Sequence, residues 1–256
     1  MTRKSILFSI LGLIAVSGCG SGNFIPVEFA GPLVPIGAGR ALTYVTLTED
    51  NKPSAVAVRL SKGALDNLAT DAPFGVEYSL EISTEFKNVM LPFDHVTLDW
   101  NPHGHEPTGI YDTPHFDVHF YTISKSEQAA IAPGSASAAA MPPPNMIPAG
   151  YVPPPGALVD SLVPNMGVHF SSPSTSEEFS GAPFRRTLIY GFANGKLAFV
   201  EPMITRAFLQ SKTNDSGTFT VPAVVSKPGY YPSRWSIKHR VDDGSIDIIL
   251  DEFVLR

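Results

Sequence analysis

The chain has 256 residues, of which 43% are hydrophobic and 16% are charged, and its formal net charge is −6. An acidic chain without clusters of basic residues lacks the phosphate-neutralising surface that nucleic-acid binding requires, which argues against a nucleic-acid partner. Its length allows one large β domain or two small ones.

The amino terminus has the layout of a bacterial lipoprotein signal. Arg3 and Lys4 form a short basic region, an apolar run follows over residues 6–16, and small residues lead into Cys19. The apolar run is too short to cross a bilayer, which takes about 20 residues. Residues 16–19 (Val-Ser-Gly-Cys) resemble the lipobox, whose cysteine carries a diacylglycerol thioether and a further acyl chain on its freed amine. We therefore predict a cleavable signal peptide over residues 1–18 and attachment to a membrane through lipid on Cys19.

An exported, lipid-anchored chain would lie outside the cytoplasm, in the cell envelope. Cys19 is the single cysteine of the sequence, so no disulfide is expected. Gly20 stands where an aspartate would resemble an inner-membrane retention signal, which favours the outer membrane. Removing residues 1–18 takes away two of the 18 basic residues and no acidic ones, leaving 16 against 24 and a net charge of −8. Residues 19–39 are rich in Gly and Pro and are predicted to form a lipidated tether.

From residue 40 onward, short segments with β-branched and aromatic residues, bounded by Pro, Gly, Asn and Asp, predict strands. The first half has such segments at 41–48, 54–60, 75–83 and 95–100, with a short helix beginning after Ser61. In the second half, 185–192 and 196–205 flank Asn194-Gly195, and 235–241 and 245–255 flank Asp243-Gly244. Both dipeptides favour the positive φ of tight two-residue hairpin turns. Further short helices are predicted at 125–131 and 205–212.

Residues 133–156 interrupt this pattern with eight prolines and an Ala/Ser run. Proline removes a backbone donor and fixes φ, so the segment cannot join the interior of a sheet. It is either a linker between two domains or a long surface loop inside one. We favour the loop, because neither half alone has enough strands to cover both faces of a sheet. The predicted fold over residues 40–256 is therefore mostly β, an antiparallel β-sandwich or barrel with two or three short helices and this Pro-rich loop.

Residues able to bind a metal concentrate in one segment, since four of the seven histidines lie within residues 103–119. In an extended strand alternate side chains share a face, so His115, Asp117 and His119 project to one side. At a rise of about 3.3 Å per residue, His115 and His119 are too far apart to be immediate neighbours. A metal would take one or two ligands from this strand and the rest from the preceding loop, which contains His103, His105 and Glu106.

Two more candidates lie later in the chain. His169 follows a Gly-Val pair, and Glu201 is a lone glutamate in an apolar run, where its burial is costly unless something pairs with it. The alternative is a purely structural role, in which the histidines form a hydrogen-bonded loop and a solvated strand face. We predict instead a divalent-metal site, with zinc ahead of calcium because imidazole suits zinc. Its candidate ligands are His103, His105, His115, His119, His169 and Glu201.

Several strings together resemble one uncharacterised family of exported bacterial proteins, a domain of unknown function related to a secreted Thermus protein. The strings are 101–107 (Asn-Pro-His-Gly-His-Glu-Pro), 111–121 (Tyr-Asp-Thr-Pro-His-Phe-Asp-Val-His-Phe-Tyr), 165–170 (Asn-Met-Gly-Val-His-Phe), 188–192 (Leu-Ile-Tyr-Gly-Phe) and 200–205 (Val-Glu-Pro-Met-Ile-Thr). The resemblance covers about residues 40–256. It implies that these histidines and Glu201 belong to one recurring constellation, and it supplies no reaction.

Three functions remain open. The favoured one is a non-catalytic metal-binding envelope protein. The second is a metal-dependent hydrolase or lyase, in which three protein ligands leave one position open for water and Glu106 or Glu201 is the general base. The third is a metal-free surface interaction module. No nucleophile elbow, P-loop, dinucleotide fingerprint or His-Glu-x-x-His motif is present in the sequence. The sequence names no substrate and leaves a homo-oligomer open.

Overall fold

The computed structural model describes residues 26–86 and 89–256. The predicted signal peptide, Cys19 and the first part of the predicted tether lie outside the described residues. Within the described residues, no helix is long and apolar enough to cross a membrane.

The chain forms short strands separated by turns, with two short helices. The strands are β1 (Glu28–Ala30), β2 (Val34–Ile36), β3 (Gly39–Leu47), β4 (Pro53–Leu60), β5 (Val76–Glu81), β6 (His95–Asn101), β7 (His115–Tyr121), β8 (Val168–Phe170), β9 (Arg186–Ala193), β10 (Lys196–Thr205), β11 (Asp215–Thr218), β12 (Tyr230–His239) and β13 (Ile246–Leu255). The helices are α1 (Lys125–Ala129), between β7 and β8, and α2 (Arg206–Gln210), directly after β10.

These strands build two antiparallel sheets. The first has the order β1-β3-β4-β13-β12-β11, with β2 also paired to β3, and the second has the order β5-β6-β7-β10-β9-β8. A continuous hydrophobic core includes Val56 and Val58 of the first sheet and Val96, Leu98 and Phe120 of the second. The predicted mostly β, antiparallel sandwich is confirmed, and neither sheet closes into a barrel.

Local signals explain most of the helix and hairpin positions. Ser124 caps α1 through a capping box with Glu127, and the Thr205 hydroxyl accepts a hydrogen bond at the start of α2. Asn194 and Gly195 have φ of 52° and 69°, as the tight turn between β9 and β10 requires. The hairpin predicted around Asp243-Gly244 also forms, between β12 and β13. Its connection is longer than the predicted two-residue turn, because Arg240 N donates to Ser245 O across the loop.

Two further predictions need correction. The helix expected after Ser61 is a series of turns, and the predicted tether is too long, since β1 and β2 belong to the first sheet. Arg59 of β4 binds the Glu28 carboxylate of β1 at 2.8 Å, and the side chain of Ile36 is buried in the core. Pro35 is tolerated because β2 lies at a sheet edge, where a missing backbone donor costs little.

The Pro-rich segment 133–156 connects α1 to β8. Both sheets contain strands from either side of it, so it does not separate two independently folded sheets. It forms no strand, only a 3-10 helix at Pro144–Met146 and a single bridge between Val152 and Ser171. Tyr151 packs edge-on against Tyr190 of β9, with ring centroids 4.8 Å apart. The segment therefore lies against the second sheet.

Candidate metal centre

The central strand of the second sheet carries three side chains on one face that could bind a metal ion. Phe116, Val118 and Phe120 of β7 point into the sandwich core, where they are fully buried. The alternate residues His115, Asp117 and His119 therefore lie on the opposite face, as the two-residue period of a strand predicts. They too are buried, at 0%, 4% and 1% exposure. Other parts of the chain thus cover this face of β7.

His115 and Asp117 meet a histidine from the loop between β6 and β7. The Nε2 atoms of His105 and His115 lie 3.0 Å apart, and they lie 3.0 and 3.1 Å from the two carboxylate oxygens of Asp117. Gly104 has a φ of 71°, and a Cβ there would overlap the backbone of Tyr111. This glycine therefore lets the loop pass close enough to bring in His105. We call His105, His115 and Asp117 the loop group.

A second group draws on three strands. The Nε2 atom of His119 lies 3.4 Å from Glu201 Oε1 of β10, and the Nε2 atom of His169 of β8 lies 3.6 Å from Glu201 Oε2. We call His119, His169 and Glu201 the strand group. Within each group, one ligand atom from every residue lies within 4.8 Å of the others, a spacing that could hold a metal ion.

Three of the four histidines have their second ring nitrogen already paired. The Nδ1 atom of His119 lies 2.8 Å from Asp99 Oδ2 of β6, and the Nδ1 atoms of His105 and His115 lie 2.6 Å from the backbone carbonyls of Glu106 and Thr113. A ring that donates from Nδ1 presents a lone pair at Nε2. Metal-binding histidines are typically oriented in this way by a carboxylate or a carbonyl.

Several buried polar atoms in the two groups have no hydrogen-bond partner. They are Asp117 Oδ1, His119 Nε2 and Glu201 Oε2. Leaving a buried polar atom unpaired costs about 1–3 kcal/mol, and more for a charged group. Native proteins seldom accept this cost without a bound ion or water to compensate. The unpaired atoms are also the atoms that a cation between the ligands would contact.

The electrostatics of the loop group centre on Asp117. Burial opposes its ionisation, but the adjacent imidazoles of His115 and His105 outweigh burial and hold the pKa of Asp117 well below its usual range. Burial also opposes protonation of His105, yet the hydrogen bond and charge of Asp117 raise the pKa of His105 to about 9. The metal-free loop group is therefore an ion pair.

The protonation of the strand group differs from that of the loop group. Burial raises the pKa of Glu201 to about 8. Burial opposes protonation of His119, but the charge of Glu201 and the hydrogen bond to Asp99 raise the pKa of His119 to about 9. Burial and the neighbouring His119 lower the pKa of His169 to about 3, so His169 is neutral. Without metal, protons occupy the positions that a cation would take.

Both groups open into a cleft of about 1070 Å³ on the outer face of the second sheet. His105, Asp117, His119 and His169 line it. The side chains of His105 and His169 are 40% and 25% exposed, so solvent reaches the ligands from the cleft side. An ion bound in either group would have coordination positions facing the cleft.

The structure brings together five of the six predicted ligands. His105, His115, His119, His169 and Glu201 fall into the two groups, whereas His103 is exposed and belongs to neither. Asp117 was predicted to share a strand face with the histidines, but it was not among the predicted ligands. Glu106 is also exposed, and its contribution to the loop group is its backbone carbonyl.

Sequence reasoning also missed Asp99. The sequence held a sign of its position, because Thr97 and Asp99 are two residues apart and so share one face of β6. His115, Asp117 and His119 share a face of β7 in the same way. The two strands pair Asp99 with Asp117 and Thr97 with His119. Thr97 Oγ1 donates to Asp99 Oδ2 at 2.9 Å, which fixes the carboxylate beside His119.

No protein-family model, curated protein or solved structure matches this chain. The resemblance to a family of exported proteins therefore stays a prediction.

Proposed function

We propose that this protein binds divalent metal ions, one in the loop group and one in the strand group. Each group offers two imidazoles and one carboxylate, a donor set that suits zinc and similar transition ions better than calcium or magnesium, which favour oxygen ligands. The observation that carries the proposal is the set of buried, unpaired ligand atoms directed into the groups.

Elemental analysis tests this proposal. The full-length chain, extracted in detergent without chelator, is expected to carry about two equivalents of metal after dialysis against zinc. The His115→Ala, His119→Ala double variant removes one ligand from each group and should carry none. The matched control is His103→Ala, which removes an exposed histidine outside both groups and should bind like the wild type. Wild-type protein without stoichiometric metal would overturn the proposal.

A metal-dependent hydrolase or lyase is the second candidate function, and the open cleft is the observation that favours it. Three protein ligands leave a position for water, whose pKa zinc lowers toward 7. With Glu201 acting as a ligand, Glu106, which lines the cleft, is the remaining candidate for general base. Hydrolysis of p-nitrophenyl acetate by the zinc-loaded chain, lost in the double variant, would support catalysis. Equal rates in both would leave metal binding without catalysis.

We further propose that the protein is anchored in the cell envelope through lipid on Cys19, with the outer membrane as the favoured destination. The support is the basic region, apolar run and lipobox-like residues of the sequence. Labelled palmitate should be incorporated into the full-length chain and not into Cys19→Ala. Equal labelling of both chains would contradict the anchor.

A further inference from the structure

The cleft is bordered by apolar side chains that are exposed to solvent and do not pack in the core. Phe74, next to β5, lines the cleft and is 99% exposed, so its ring contributes nothing to the core. Val152 and Val163 also line the cleft and are 44% and 38% exposed, with Pro153, Pro154 and Pro155 beside them. Exposed apolar surface beside a polar centre is typical of a ligand-binding site.

The charges in and around the cleft select against ions of both signs. It is lined by five carboxylates, and no lysine or arginine is among the described residues that line it. The five are Glu77, Asp99, Glu106, Asp117 and Asp160. These carboxylates repel an anionic ligand as it enters. The bound metal ions of the proposed function would repel a cationic group at the floor. An uncharged molecule meets neither barrier.

We propose that the cleft binds an uncharged organic molecule that has an apolar, ring-sized part and a neutral oxygen donor. The apolar part lies against Phe74 and Val152 at the mouth, and the oxygen coordinates metal from the side where His105 and His169 are exposed. The cleft volume of about 1070 Å³ is ample for such a molecule, since small-molecule sites measure roughly 300–1000 Å³. Coordination of the oxygen to metal rests on the proposed function.

Cobalt substitution tests both parts in one sample, because the visible absorption of bound Co²⁺ changes when a new ligand coordinates. The cobalt-loaded full chain is titrated near neutral pH with three probes that share a phenyl ring. Benzamide is uncharged and offers a neutral carbonyl oxygen, phenyl phosphate is anionic and benzylamine is cationic. The variants are Phe74→Ala and the control Val241→Ala, which trims a fully exposed apolar side chain outside the cleft lining.

We expect benzamide to shift the cobalt bands with a Kd at least tenfold lower than that of either charged probe. Phe74→Ala should raise that Kd about fivefold, within the range of a single aromatic contact, with unchanged cobalt content. Val241→Ala should leave the Kd unchanged. A chain that takes up no cobalt overturns the proposed function. Cobalt bands that no probe moves, tighter binding of a charged probe, or a Phe74→Ala variant that binds like the wild type overturn this inference alone.

Discussion

The two ring nitrogens of His119 differ, since one is hydrogen-bonded and the other is not. Asp99 binds its Nδ1 atom at 2.8 Å, while its Nε2 atom faces Glu201 and has no hydrogen-bond partner. A carboxylate behind a metal-binding histidine fixes the ring and raises its basicity. Asp99 therefore acts as a positioning residue for the strand group, although it is not itself in either group.

Replacing Asp99 with asparagine should weaken metal binding without removing a ligand. We expect Asp99→Asn to lower the affinity of the strand group by about 10- to 100-fold, as for other outer-shell partners of metal-binding histidines. Competition against a chromophoric chelator measures this change. Asp94→Asn is the matched control, because Asp94 pairs with the Nδ1 atom of His95 at 3.0 Å and His95 belongs to neither group. Equal losses in the two variants would contradict the role of Asp99.

Glu201→Gln should separate metal binding from stability. The carboxylate is 1% exposed and burial raises its pKa, so neutralising it removes a group that is costly to ionise in the metal-free chain. We expect the metal-free Tm to stay equal or rise, while the Tm increase caused by zinc falls sharply. Differential scanning fluorimetry with and without zinc measures both effects.

Glu178→Gln is the control for Glu201→Gln. Glu178 is also buried, but it accepts a hydrogen bond from the Tyr111 hydroxyl at 3.2 Å and belongs to neither group. This variant should keep the full zinc-dependent increase in Tm. A Glu201→Gln protein that also keeps the full increase would show that Glu201 does not bind the metal.

Strand alternation is a local rule, so the sequence was enough to place His115, Asp117 and His119, half of the six residues in the two groups, on one face. The division of these residues between two groups was not predictable, because it depends on partners that only the sheet pairing brings close. His169 and Glu201 are such partners, on β8 and β10. The prediction for His103 failed because the loop turns at Gly104, after which only His105 reaches Asp117.

In the pairing of β9 with β10, a glycine leaves room for an aromatic ring that contacts two histidines of the strand group. Gly191 of β9 lies opposite Phe199 of β10, and a Cβ at Gly191 would overlap the Phe199 ring. That ring packs edge-on against His119, with centroids 4.6 Å apart, and against His169 at 5.2 Å. Gly191 therefore provides the space in which Phe199 holds the two histidines.

Gly191→Ala should disturb both the fold and the site. We expect a loss of about 1–3 kcal/mol in the free energy of unfolding, typical of overpacking, and weaker zinc binding in the strand group. Urea denaturation and chelator competition measure these effects. Adding Phe199→Leu to Gly191→Ala shortens the side chain that the new methyl displaces and should recover part of the stability. Wild-type zinc affinity in the single variant would contradict the link to the histidines.

Elements fixed by local interactions were predictable from the sequence, whereas elements fixed by contacts between distant residues were not. The turn at Asn194-Gly195 is set by the φ preferences of those two residues, so the sequence was sufficient. The β1 and β2 strands were missed because Gly and Pro dominate their surroundings and their stabilisation is tertiary. The contact between Glu28 and Arg59, which joins β1 to β4, illustrates this.

The number of strands and the spacing of turns were enough to predict an antiparallel sandwich. The assignment of strands to sheets was not predictable. For example, β4 and β5 are consecutive in the chain but lie in different sheets, and β4 pairs with β13 near the carboxyl end. These long-range pairings place the face that carries the two groups at the middle of the second sheet, beneath the cleft.

The charge state of the two groups makes metal-free stability and metal affinity depend on pH in opposite directions. The folded pKa values of His105 and His119, about 9, exceed the ordinary value of 6.5, so their stabilising contribution is present below pH 6.5 and is lost as the pH rises through 9. Glu201, with a folded pKa of about 8 against 4.5, acts in the same direction. The lowered pKa values of Asp117 and His169 act at acid pH instead.

We therefore expect the Tm of the metal-free chain to fall between pH 6.5 and 9, while zinc affinity rises over the same interval because the ligands lose the protons that compete with the ion. Buried tyrosines, such as Tyr111 and Tyr121, have raised pKa values and contribute only above pH 10. Melting curves after chelator treatment and zinc competition at matched pH values measure the two slopes. His119→Ala should flatten both, and a metal-free Tm that rises from pH 6.5 to 9 would contradict this account of the site.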